Sequence, residues 1–168
     1  MTRNWRHLPA AARPIAAATD AAVAAARDRD GPALDEAAGD LAALDPAQVG
    51  LILGTAVRLL LEDTHTDGLD GDDIRAVLEG CVKDAATWQP DVDPHVLLIL
   101  LAGALGVHDD SGDPPPKAEA LARHAPLLLA YLLHGPRSPT PAAGLADERM
   151  AGYLTKALHE IERSQLND

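Results

Sequence analysis

Apolar residues recur along this chain three and four positions apart and seldom alternate singly with polar ones, so the pattern predicts helices and no β-sheet. From Pro14 to about Arg27 the run is mostly alanine, with Ile15 and Val23 as its large apolar groups. Such a segment forms helix readily but anchors weakly, which predicts a peripheral position. Asp30-Gly31-Pro32 breaks it, and Leu34, Ala37, Leu41 and Leu44 then mark a short amphipathic helix. Asp45-Pro46-Ala47-Gln48 starts a third helix: Asp45 caps, Pro46 suits the first helical position, and Gln48 is placed to close a capping box. Along it Gln48, Thr55, Arg58 and Glu62 form a narrow polar stripe in an otherwise apolar surface. Gly50 and Gly54, four apart, weaken that helix unless another helix packs closely over them, so they predict a crossing point.

The next start has Leu69 before the cap, Asp70 at the cap, Asp72 and Asp73 in the first turn, and Ile74 placed to staple back onto Leu69. Ile74, Val77, Leu78, Cys81, Val82, Ala85 and Trp88 follow on one face. Asp93-Pro94 repeats the cap-plus-proline start, Val96 to Leu105 is apolar all round, and Gly106 supplies a stop. Lys117 to His124 reads as helix, Pro126 either kinks it or begins a new one, and Leu127 to Leu133 is again nearly all apolar. Met150, Tyr153, Leu154, Ala157, Leu158 and Ile161 mark one face of a last helix. The expected fold is an all-α, single-domain helical bundle of about six to eight helices over residues 1–168. Residues 1–13 are expected to be loosely ordered, and 108–116 and 135–141 to be loops.

A domain of this size has room for about one helix buried on every side, yet three segments, Val49 to Leu61, Val96 to Leu105 and Leu127 to Leu133, approach that character. Some of their surface is therefore expected to meet another chain. Composition narrows the kind of core: there is no Phe and only two Trp and two Tyr, so burial rests on Leu, Val and Ala in closely approaching helices. A net charge of −12 with 14 Lys plus Arg excludes a basic stripe able to neutralise phosphates, so no nucleic acid and no anionic membrane surface is expected as a partner. A basic protein would be attracted. Cys81 is the only cysteine, which fits a reducing, cytoplasmic setting. Val96 to Val107, the longest strongly apolar run, is about half a membrane span.

Candidate chemistry concentrates in the segment Leu61 to Ile74. Asp63, His65, Asp67 and Gly68 imitate the opening of a calcium-binding loop, but His65 replaces an oxygen ligand, Asp70 stands where an apolar anchor belongs, and Ile74 replaces the closing glutamate. Glu62 and His65 have the Glu-x-x-His spacing of di-metal bundles, and no second copy occurs. Helix capping explains Asp70, Asp72 and Asp73 without a metal, leaving Asp63, His65 and Asp67 with no structural role read from the sequence. Cys81 falls on a buried stripe, and Ser111, Ser138 and Ser164 lack any nucleophile-elbow context. Arg58, paired with Glu62 four residues on, reads as a solvent-facing stripe or as the polar edge of an apolar notch.

No catalytic residue, cofactor-binding residue or metal ligand is therefore assigned. The leading expectation is a non-enzymatic, cytoplasmic protein-protein interaction module that self-associates as a homodimer or takes a partner helix in a groove. The first alternative is a small-molecule sensor with an apolar pocket edged by Arg58 and gated by the loop at 108–116. A metal-dependent helical enzyme built on residues 62–73 is the lower alternative.

Overall fold

The computed structural model describes residues 4–107, 114–134 and 143–166, the side chains of 143–147 excepted. Among them the chain forms seven helices and no strand: α1 (Arg13–Arg27), α2 (Gly31–Ala42), α3 (Pro46–Thr64), α4 (Gly71–Ala86), α5 (Pro94–Ala104), α6 (Ala118–His134) and α7 (Ala143–Leu166).

Each start has a local cause. Asp30, Asp45 and Asp93 cap α2, α3 and α5 by accepting from the backbone N–H of Ala33, Ala47 and His95, with proline in the first turn of each helix. At α4 the cap is reciprocal: Asp70 accepts from Asp73 N at 2.8 Å while the Asp73 carboxylate accepts from Asp70 N at 3.1 Å. Gly68, at φ 106°, supplies the left-handed turn that precedes it, and Leu69 and Ile74 both pack against the core.

The helices form one body around α6, which packs against all six others. Leu128, Leu129 and Leu133 on α6 are fully buried, as are Leu60 and Leu61 on α3 and Leu154 on α7. Pro126 neither ends nor restarts α6; the helix continues through it. A proline has no N–H to donate four residues back, so the continuation rests on tertiary packing around a buried segment. Before α1, Trp5, Leu8 and Ala12 enter the core; Trp5 and Leu8 are too apolar to leave solvated beside α1. α1 itself is less peripheral than its alanine content suggests, because Ala22, Ala25 and Ala26 bury almost completely and allow close approach to α6. Of the expected loops, 114–116 is non-helical, and 108–113 and 135–141 lie outside the described residues. Among the described residues no helix is long and apolar enough to cross a membrane.

Candidate functional site

α3 presents Pro46, Val49, Gly50, Leu53, Gly54 and Val57 along one stripe, and this stripe floors a groove of about 220 Å3. Its walls come from the C-terminal half of α5, through Ile99, Leu100 and Gly103, and from the first two turns of α6, through Ala118, Leu121 and Ala122. The spacing 46, 49, 50, 53, 54, 57 keeps one helix face towards the groove for three turns, about 16 Å at 1.5 Å per residue. No charged side chain lines it.

Glycine creates the groove. A Cβ built at Gly50, Gly54 or Gly103 meets nothing within 4 Å. Among the described residues, no helix makes the close crossing predicted at Gly50 and Gly54. Each glycine costs its helix roughly 0.5–1 kcal/mol relative to alanine, and no contact inside the fold offsets that loss. Beyond the groove, α5 turns Leu98, 43% exposed, to solvent, with Ile99, Ala102 and Gly103 beside it. From Pro94 to Val107 there is no Asp, Glu, Lys or Arg, so groove and outer stripe form one uncharged surface.

A second, larger cleft of about 670 Å3 opens where α1, α4 and α6 end. It holds Trp88 and Tyr131, half of the chain's aromatic rings, with Arg29 paired to Asp84 at 3.0 Å across its mouth. Arg27, Lys83 and His134 lie in the last turns of three helices, where positive charge complements the exposed carbonyl ends. Cys81 lies against the cleft, yet burial and then the Asp84 charge push its thiol up to about 12, so it is a neutral thiol and a poor nucleophile at ordinary pH.

The acidic segment carries no assembled ligand set. Tyr153 of α7 donates to Asp63 Oδ2 at 2.5 Å, and burial followed by that carboxylate pushes the phenol up. His65 is buried at the end of α3 with Nδ1 3.0 Å from the Leu61 carbonyl oxygen, so it closes the helix from within. Asp67 is exposed in the turn. Glu62 is drawn the other way, to Arg58 at 2.8 Å. Among the described residues no three His, Cys, Asp or Glu side chains converge to hold a metal.

Arg58 also reaches Glu160 at 2.6 Å, tying α3 to α7, and it lies outside the groove. The Glu62 pairing follows the i, i+4 spacing on a partly exposed stripe, and Glu160 adds a clamp between helices. His124 lies inside α6, where its Nδ1–H donates to Ala120 O at 2.7 Å and its Nε2 accepts from Asp93 N at 2.9 Å, fastening the start of α5 to α6. Gly103 also went unnoticed, although glycine amid an otherwise apolar helix is a visible signal. Ser111, Ser138 and His108 lie outside the described residues.

No family model, curated protein or solved structure matches this chain.

Proposed function

We propose that this chain is a non-enzymatic protein-interaction module and that its docking surface is the glycine-lined groove between α3, α5 and α6. One observation carries the reading: Gly50, Gly54 and Gly103 weaken two helices and leave an uncharged groove that the described residues do not fill. A close-packing helix is what the i, i+4 glycine pair calls for, and with none among the described residues it comes from another protein. The buried, unpaired Cys81 suits a reducing compartment, in keeping with a cytoplasmic protein.

A small-molecule sensor has less support. The groove lacks the convergent polar group that orients a small ligand, and Arg58 is committed to Glu62 and Glu160 elsewhere. Self-association through α5 alone also has less support, because an eleven-residue helix about 16 Å long offers far less than the roughly 800 Å2 per partner of a stable interface. The test is capture from native lysate by wild type and by Gly54→Leu, a variant that fills the groove from a position with free space around its Cβ. Proteins retained by wild type and lost with the variant are the expected result; an identical set from both would remove the groove as the docking surface.

A further inference from the structure

Two histidine side chains are buried among the described residues, and protonation would affect them differently. At His65 the ring bonds through Nδ1, which donates to the Leu61 carbonyl, and that donor keeps its bond when the other nitrogen takes a proton. At His124 both nitrogens are committed, in opposite senses. Nδ1 lies 2.7 Å from the Ala120 carbonyl oxygen and must donate; Nε2 lies 2.9 Å from the Asp93 backbone nitrogen and must accept its N–H. Those two bonds admit one state of the ring, the neutral Nδ1–H tautomer. We infer that His124 is an acid-sensitive latch, holding the start of α5 against α6 while its ring is neutral and releasing it when Nε2 takes a proton.

Protonation turns the acceptor into a second donor facing the Asp93 N–H, so the bond is lost and a repulsive contact takes its place. The first turn of α5 hangs on that bond: the Asp93 carboxylate caps the helix by accepting from His95 N at 2.9 Å, and the Asp93 carbonyl accepts from Leu97 N at 3.3 Å. Charged groups from three parts of the chain line one cleft with the ring. α2 brings Asp35, paired to Arg123 of α6 at 2.7 Å; the connection before α5 brings Asp91 and Asp93; the chain around the start of α6 brings Lys117 and Glu119. Four carboxylates against two cations favour an imidazolium, so the surroundings permit the charge and the accepting bond is what opposes it. Histidines ordinarily change charge between about pH 5 and 8. Above that range the latch is closed, and as pH falls through it the start of α5 loses a bond that the proton-bound ring cannot make. What the latch controls is the hold on α5, whether or not the groove beside it is occupied.

The experiment follows amide hydrogen exchange of the full chain from about pH 7.5 to about pH 5.5, a window that stays above about pH 4, where carboxylates ordinarily titrate. After correction for the intrinsic pH dependence of exchange, protection of the Asp93 and Leu97 amides is expected to fall about tenfold across the window, while Leu128 and Leu129 of α6 change by less than about twofold. In His124→Gln, which keeps an uncharged acceptor at the end of the side chain, that pH dependence is expected to vanish. Protection at Asp93 and Leu97 that does not change with pH, or that falls equally throughout α6, would overturn the latch. So would a His124→Gln protein that keeps the wild-type pH dependence, since another group would then be its source. Should that variant not fold, the 15N shifts of the wild-type ring decide. Nδ1–H with a bare Nε2 near pH 7.5, and both nitrogens protonated as α5 loosens, is the expected signature; an Nε2–H tautomer at neutral pH, or a ring still neutral when α5 loosens, would overturn the inference.

Discussion

The apolar runs of α5 and α6 are closely alike as sequence and opposite in situation. Val96 to Leu105 and Leu127 to Leu133 are both almost wholly apolar, yet α6 touches every other helix while α5 leaves Leu98 43% exposed and Ile99 and Leu100 half-buried. Apolar content measures how much surface a helix needs covered; it does not say what covers it. For α6 the chain supplies the cover, by wrapping six helices around it. For α5 it covers one side only and leaves an uncharged stripe running into a groove that its own glycine helps to open.

The largest test of this contrast is a matched pair of truncations. Leu128→Ala on α6 removes a side chain with no solvent exposure and is expected to destabilise the fold by about 2–5 kcal/mol in chemical denaturation. Leu98→Ala on α5 is expected to stay within about 0.5–1 kcal/mol. Comparable losses at both would mean that α5 is as deeply embedded as α6, and the contrast would fail.

Glycines sharpen it next. Gly80 on α4 faces the Tyr131 ring of α6, whose hydroxyl occupies the space a Cβ would take. Gly80→Ala therefore forces the half-buried ring to move and is expected to lower stability by about 1–3 kcal/mol, with Tyr131→Phe or Tyr131→Leu in the same chain recovering part of it. If the second substitution recovers nothing, the clash with Tyr131 is not the cause.

His124 tests how α5 is held. Its Nε2 is the acceptor for Asp93 N at the start of α5, so His124→Leu strands a partly buried N–H at an otherwise intact cap. The expected cost is about 1–2 kcal/mol, together with faster hydrogen exchange in the first turn of α5 and unchanged exchange in the second half of α6. Uniform acceleration across both helices would show that the bond supports the whole bundle and does not single out α5.

These contrasts also mark what could be read without a structure. The capped starts at Asp45, Asp70 and Asp93 were legible because each depends on a few contiguous residues whose chemistry is local. Pro126 was legible only as a choice: whether a proline lies within one helix or begins a new one depends on tertiary packing that no neighbouring residue encodes. The aspartates of 63–73 looked like one cluster in sequence, but the helix ends between them, and Asp63 and His65 leave in different directions, to Tyr153 on α7 and to the Leu61 carbonyl. The groove was half legible. Gly50 and Gly54 announced a close approach, while their open surroundings, and the third glycine across from them, depend on where α5 lies.

Gly103 gives the smallest expected effect and the most direct one. It sits inside α5, exposed, with nothing within 4 Å of its Cβ position, so alanine adds a methyl group that touches no other part of the fold. Helix propensity alone then governs the change, and Gly103→Ala is expected to stabilise the chain by about 0.5–1 kcal/mol, raising its midpoint in urea. A glycine kept for folding would make the substitution neutral or harmful. A gain in stability accompanied by loss of the proteins that wild type captures would place the value of Gly103 in what docks against α5.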